Sequence, residues 1–215
     1  MTMQSLDLAV PAAATPIRPG PKRVLDVALT LLLLLAVWPF LAIIALAVAL
    51  TSPGPVFFVQ TRVGLGGTTF GMIKFRSMYA DAEARRSEIA SQSDREGLCL
   101  KLRHDPRITP VGRVLRRWSL DELPQLLNVL AGDMSLVGPR PALVEEVAAY
   151  PERAHQRHRV LPGITGFWQV AGRADIGFDD MIDLDLAYVR QASAFTDLLV
   201  LFRTVGAVLK GTGAY

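Results

Sequence analysis

Two carboxylates stand side by side at Asp121 and Glu122, within the run Ser-Leu-Asp-Glu-Leu-Pro-Gln that begins at residue 119. Arg113, Arg116 and Arg117 precede them, and a Gly138-Pro139-Arg140-Pro141 turn follows. Carboxylates, a metal that they could hold, and arginines that neutralise phosphate oxygens are the parts that chemistry on a phosphoryl group requires. Successive residues of a helix are rotated by about 100°, so the two carboxylates point in different directions and suit two separate tasks. Capping accounts for the same acids. Ser119-x-x-Glu122 matches a capping box, and with Asp121 as the cap, Pro124 falls in the first turn, where its missing N–H costs nothing. Capping leaves the arginines unexplained. Leu120, Leu123, Leu126, Leu127 and Leu130 recur at helical spacing as a buried stripe, with Asp121, Gln125 and Asn128 opposite.

The prolines on either side of Arg140 restrict its backbone and make it a pre-positioned guanidinium, a good clamp for phosphate. Arg173, after the aromatic stretch 164–172, could serve likewise. Asp183-x-Asp185 has the spacing with which many sugar transferases hold a metal-bound nucleotide diphosphate, but it falls inside an expected helix. His155-x-x-His158 has one-face spacing without a third ligand nearby, and reads as a solvated helix face rather than a zinc site. Asp105 and Arg107 read as turn and cap chemistry.

The elements that must position these residues begin with a long apolar run. Hydrophobic residues make up 51% of the 215, and between residues 27 and 50 the only polar side chain is Thr30. About twenty apolar residues cross a hydrocarbon core of roughly 30 Å, so this run is a membrane element. A signal peptide has a shorter run and a small-residue cleavage site; here Thr51-Ser52-Pro53-Gly54-Pro55 follows. Pro39 near the middle kinks or breaks the helix, which leaves one kinked spanning helix or one that enters and returns. The net charge of +3 is modest. No lysine/arginine block resembles a nucleic-acid arm, so nucleic acid is not an expected partner, whereas anionic head groups or a nucleotide diphosphate are. A lone cysteine, Cys99, excludes an intramolecular disulfide. Lys22 and Arg23 place the N-terminal flank in the cytoplasm.

The expected organisation is a disordered leader over 1–21, a membrane helix over 22–50, and a catalytic domain over 51–215. Residues 56–59 and 70–75 read as strands, and Gly64, Gly66 and Gly67 suggest a hairpin between them. Residues 81–92, 112–118, 142–150, 179–190 and 198–209 read as helices, as does a segment starting near Asp121. Residues 164–172 read as irregular or strand-like.

The chain resembles the bacterial membrane-associated sugar transferases, the monotopic phosphoglycosyl transferases that begin glycan assembly on polyprenyl phosphate. The resemblance covers residues 22–215. It rests on Lys-Arg-Val-Leu-Asp at 22–26, Ser-Pro-Gly-Pro-Val-Phe-Phe at 52–58, Lys-Phe-Arg-Ser-Met at 74–78, and Ser-Leu-Asp-Glu-Leu-Pro-Gln at 119–125. Gly-Asp-Met-Ser-Leu-Val-Gly-Pro-Arg-Pro at 132–141, Pro-Gly-Ile-Thr-Gly at 162–166 and Trp-Gln-Val-Ala-Gly-Arg at 168–173 complete it.

The resemblance implies a mainly α fold with a small β element (α+β), a re-entrant helix broken at proline, and amphipathic helices at the membrane interface. It implies that Asp121 attacks the β-phosphate of a UDP-sugar, releases UMP, and passes a hexose phosphate (galactose or glucose) to undecaprenyl phosphate, with Glu122 holding Mg²⁺. Lys74, Arg116, Arg140, Arg173 and Asp185 are its substrate-site candidates. The implied setting is the cytoplasmic face of the bacterial inner membrane, with downstream glycosyltransferases as pathway partners and a homo-oligomer allowed. A nucleotide-sugar glycosyltransferase using Asp183-x-Asp185, and a non-catalytic scaffold of polysaccharide export, are the rival readings. One departure concerns the helix break, where Trp38-Pro39 replaces the Ser-Pro common in relatives. Trp38 cannot repeat the serine's bond to a freed carbonyl, and its ring suits the membrane interface instead.

Overall fold

The computed structural model of the chain describes residues 20–82, 84–85, 105–172 and 176–210. The expected leader up to residue 19, most of the 81–92 stretch, Cys99 and Arg173 lie outside the described residues.

The first element is α1, Lys22–Thr51, a helix of 30 residues. At 1.5 Å per residue it is about 45 Å long. Pro39 has no N–H to offer the Leu35 carbonyl, yet the helix continues past it as one element, so the break expected there is not an interruption of α1. Large apolar side chains are exposed along its length, among them Leu31, Leu32, Leu35, Trp38, Ile43 and Leu50. Both ends of α1 are nevertheless tied to the rest of the molecule. Near its start, Lys22 Nζ donates to Ser135 Oγ (2.6 Å) and to the Val137 carbonyl (3.2 Å), and it pairs with Asp197. Asp26 Oδ1 accepts the Leu136 N–H at 3.1 Å. Near its end, Ile44 and Val48 pack on Phe75 and Leu115, each such burial contributing about 1.5–3 kcal/mol. Arg76 then donates to the carbonyls of Ser52 (2.6 Å) and Pro55 (2.5 Å), which fastens the C-cap of α1 and the turn after it to β2.

A hairpin follows, as the spacing of apolar residues and glycines predicts. Strands β1 (Phe57–Val63) and β2 (Thr69–Phe75) pair antiparallel, with Phe58 opposite Lys74 and Arg62 opposite Phe70. Gly66 and Gly67 take positive φ in the turn between them, a conformation that side chains oppose. Alternation along the strands sets Arg62 and Lys74 on one face and Phe57 and Phe75 on the other.

Helix α2 spans Pro110–Arg117. Thr109 caps it by accepting the Gly112 N–H at 2.9 Å, and Pro110 occupies the first turn. The Asp105–Arg107 turn leads into it: Asp105 accepts both the Arg107 N–H (2.9 Å) and its guanidinium (2.8 Å), the turn chemistry expected. A 3₁₀ turn over Leu120–Glu122 and a short α3, Gln125–Ala131, carry the Asp-Glu segment. Strand β3 (Ser135–Val137), which the sequence does not announce, pairs in parallel with β4 (Gly163–Thr165), which overlaps the start of the strand-like stretch. The chain approaches itself so closely there that a Cβ on Gly163 would sit 2.0 Å from the Gly138 nitrogen.

Helices α4 (Val144–Ala148), α5 (Phe167–Ala171), α6 (Phe178–Gln191) and α7 (Ala194–Lys210) complete the described residues, with a 3₁₀ segment over Glu152–Arg159. The fold is mainly helical with two small sheets, as expected. The 164–172 stretch departs from its reading, since only Ile164 and Thr165 are strand and the aromatic part is α5. Met72, Leu126, Val129, Met134, Val137 and Tyr188 form the central apolar cluster behind the Asp-Glu segment.

Candidate active site

Asp121 and Glu122 sit on the 3₁₀ turn, not on a helix start. Ser119 before them has φ 55°, the one non-glycine residue with positive φ among the described residues, and its side chain makes no capping bond. The capping box is therefore absent. A non-glycine residue held in this region is strained and recurs at functional sites. α3 begins only after Pro124, whose fixed φ starts the helix one turn later than the leucine spacing suggests.

Glu122 reaches back to cations on two other elements. Its Oε1 accepts Lys74 Nζ from β2 at 3.1 Å and Arg140 Nη1 from the Pro-Arg-Pro turn at 2.8 Å. Its other oxygen carries no hydrogen bond among the described residues. Asp121 is 8% exposed, and no described residue donates to its carboxylate. The two acids thus part company. Burial pushes the Asp121 carboxyl up, and the neighbouring Glu122 adds to the rise, while Lys74, Arg116 and Arg140 pull it back. Burial also pushes Glu122 upward, but Arg140 and Lys74 outweigh it and hold the carboxyl well below the usual range. Burial lowers the Lys74 ammonium to about 8, against the pull of Glu122.

The structure brings three candidates together on this dyad: Lys74 and Arg140 by contact with Glu122, and Arg116, on the last turn of α2, by its field on Asp121. Lys74, Arg116 and Arg140 face two carboxylates, so the site carries a local excess of positive charge, suited to a phosphate group. Asp185 is placed differently. It is 1% exposed and bonded to Arg157 at 2.5 Å, and Arg157 in turn donates to the Arg140 carbonyl at 2.8 Å. It lies beneath the site. Arg173 is outside the described residues.

Two other sequence readings change. Asp183 and Asp185 are about 200° apart around α6: Asp183 is exposed and paired with Arg153, whereas Asp185 is buried. They cannot hold one metal ion together. His158 does not lie on a solvated face. It is buried and stacked on Tyr150 with ring centroids 6.4 Å apart, and neither ring nitrogen has a hydrogen-bond partner among the described residues. Burial, with Arg157 adding, lowers its pKa to about 3, so the ring is neutral.

Asn128 is a positioning residue that sequence reasoning placed only as a polar face. Its Oδ1 accepts the Ile73 N–H at 3.0 Å and its Nδ2 donates to the Gly71 carbonyl at 2.8 Å. It therefore imitates a third strand at the free edge of β2 and locks α3 to the strand that carries Lys74. Arg62 is another missed residue, and the hairpin register with its period of two would have put it on the face of Lys74.

Residues 18–211 match the family of bacterial sugar transferases. The chain belongs to that family. An exopolysaccharide production protein, ExoY, of Sinorhizobium fredii is 38% identical over 207 residues, covering 94% of this chain and 92% of its own length. The galactosyl transferase CpsE of Streptococcus agalactiae is 46% identical over 162 residues, which span 75% of this chain and 36% of CpsE. The UDP-glucose:undecaprenyl-phosphate glucose-1-phosphate transferase of Escherichia coli is 42% identical over 202 residues, 90% of this chain and 41% of that protein. This sugar transferase chain thus spans nearly all of ExoY but less than half of the latter two relatives.

Proposed function

We propose that this sugar transferase moves a sugar-1-phosphate from a UDP-sugar to undecaprenyl phosphate through a covalent intermediate on Asp121. The observation that carries the reading is the division of the dyad: Glu122 is held ionised by two cations, and Asp121 takes no hydrogen bond from any described residue. An oxygen of Asp121 attacks the β-phosphorus, and the bond from that phosphorus to the bridging oxygen breaks. The bridging oxygen leaves on the α-phosphate, as UMP. An oxygen of the lipid phosphate then attacks the phosphosugar, forms the diphosphate, and frees the carboxylate. Splitting one displacement between two anions into two steps is the gain of covalent catalysis. Lys74, Arg116 and Arg140 counter the negative charge that gathers on the transferring group.

Mg²⁺ usually takes one or two carboxylates and fills its shell from phosphate and water. The unbonded oxygen of Glu122 beside the Asp121 carboxylate fits that demand. When bound, the ion would neutralise diphosphate charge. Among the described residues no cluster of three or more acidic, His or Cys side chains offers a different metal site.

The reading places the site at the cytoplasmic face of the inner membrane, with α1 entering and returning by a bend at Pro39 that leaves the helix unbroken. Attachment of both ends of α1 to the same body supports it, because a helix that crossed a bilayer would carry its ends to opposite sides. Exposed apolar side chains on α7 (Phe195, Leu198, Phe202, Val205 and Leu209) and on β1 (Phe57 and Val59) support an interfacial seat. E. coli and Komagataeibacter xylinus relatives named for glucose phosphate, and a Salmonella typhimurium relative named for galactose phosphate, support a hexose.

Nucleotide product analysis tests the proposal. Enzyme in nanodiscs receives Mg²⁺, undecaprenyl phosphate and a panel of UDP-hexoses. UMP as the product is expected. UDP as the product would mean transfer of the sugar alone and would overturn the reading.

A further inference from the structure

The turn that presents Arg140 has prolines on both sides, so Pro139 and Pro141 have no N–H with which to anchor it. It is held by its carbonyls instead, and all three are taken. Pro139 O accepts the Gly163 N–H at 2.9 Å, Arg140 O accepts Arg157 Nη2 at 2.8 Å, and Pro141 O accepts Arg62 Nη1 at 3.1 Å. The middle bond is the most elaborately supported. Arg157 is 2% exposed; Nη2 also bonds Asp185 at 2.5 Å, Nη1 bonds Tyr150 Oη at 2.7 Å, and the guanidinium lies 5.7 Å from the Tyr150 ring centroid. Stability alone does not account for this arrangement, since a well-packed apolar pair commonly replaces a buried ion pair at no loss. An apolar pair could not reproduce the donors aimed at Tyr150 and at Arg140, and of these the second holds the turn.

We infer that Arg157, locked by Asp185 and Tyr150, is a positioning residue that fixes the Arg140 backbone and so keeps the Arg140 guanidinium on Glu122 and on the transferring phosphate. Asp185 then acts through Arg157 and does not touch the sugar nucleotide. The inference rests on the proposed function for the task of Arg140, though not for the placement of the turn. A guanidinium serves Tyr150, Asp185 and Arg140 at once because its donors diverge in a rigid fork; an ammonium on a shorter reach cannot.

Three variants of the full chain test this: Arg157→Lys, Asp185→Asn, and the double change Arg157→Met with Asp185→Leu. Each is measured for kcat and KM of UMP release, for Tm, and for hydrogen exchange in the peptide spanning 136–144. Displacements of about 1 Å commonly cost on the order of 10²-fold in rate. Arg157→Lys is expected to lower kcat by about 10–100-fold with the UDP-sugar KM within about threefold, because the ground-state diphosphate keeps its other cations. Exchange in the 136–144 peptide rises. The double variant is expected to recover Tm without recovering kcat, and Asp185→Asn to lower kcat while keeping the order of preference among UDP-hexoses.

Wild-type kcat in either Arg157→Lys or the double variant overturns the inference, and so does a changed sugar preference in Asp185→Asn. Should the double variant fail to fold, Arg157→Lys decides alone. Should the wild-type chain release no UMP, the proposed function falls while hydrogen exchange still decides the inference: unchanged exchange at 136–144 in Arg157→Lys overturns it, and faster exchange upholds it.

Discussion

Two buried clusters of this molecule are built from the same parts and finished in opposite ways. At the root of α1, Lys22 meets Asp26 and Asp197; at the dyad, Lys74 meets Glu122 beside Asp121. In the first cluster the lysine and Asp197 are fully partnered, and Asp26 Oδ2, which accepts no hydrogen bond, still lies 3.6 Å from the Lys22 ammonium. Lys22 has three acceptors in Ser135, Val137 and Asp197, and Asp197 has a second donor in Tyr188 Oη at 2.8 Å. In the second, one carboxylate takes two cations and its neighbour takes no donor from any described residue. The first cluster is what a chain builds to fasten a helix. The second carries a buried acid that three nearby cations offset only in part and that no described residue hydrogen-bonds, an arrangement that costs folding free energy and is kept where chemistry has a use for it.

Four substitutions sharpen or break this contrast. The largest effect belongs to Asp121→Asn, which should abolish UMP release by at least about 10³-fold, as loss of a nucleophile does. Tm should hold or rise, because burial already disfavours this carboxylate; a fall in Tm comparable to that of the α1 variants would make Asp121 structural. Glu122→Gln should lower kcat by about 10²-fold and Tm as well, since it strips Lys74 and Arg140 of their shared partner. At the other cluster, Lys22→Met should cost about 3–5 kcal/mol, the usual result of leaving buried carboxylates unpaired, while the enzyme that remains folded turns over normally. Denaturant unfolding in detergent checks the first part, and UMP release per folded molecule the second.

At neutral pH the smallest effect belongs to His158, and it grows only in acid. His158 is neutral in the fold with a pKa near 3, against about 6.5 when unfolded. Its neutral form is favoured by folding, so stability is fully present above pH 6.5 and is lost as pH falls towards 3, by up to about 1.4 kcal/mol per pH unit. His158→Phe should flatten that acid slope, and an unchanged slope in a pH series of Tm would place the acid sensitivity elsewhere.

The sequence carried much of this, unevenly. The membrane helix, the hairpin, α6 and α7 follow from apolar periodicity and glycine placement, which are local signals. The dyad itself was visible as adjacent acids beside arginines, but its geometry was not: the leucine stripe over 120–130 implied one helix from Asp121, whereas Ser119 in the left-handed region and Pro124 split it into a 3₁₀ turn and a later helix. Strand β3 and its parallel pairing with β4 escaped because a three-residue strand leaves no pattern, and what holds the pair is the close approach at Gly138 and Gly163. Arg157 and Asn128 escaped for a related reason. Each bonds backbone groups far away in sequence, and no spacing rule reports a partner chosen by tertiary packing. Asp185 shows the converse: a motif match pointed at the right neighbourhood, and the helix turned that carboxylate inward while it turned Asp183 out.

The most direct test of the divided dyad is to trap the intermediate. Full-length enzyme is mixed with Mg²⁺ and the UDP-hexose in the absence of lipid phosphate, quenched in acid, and mapped by mass spectrometry. The account predicts one phosphohexose per active chain, attached at Asp121 and accompanied by one equivalent of UMP, absent in Asp121→Asn and still formed, slowly, in Glu122→Gln. Attachment at Glu122, or lipid-dependent turnover with no adduct at either acid, would contradict it.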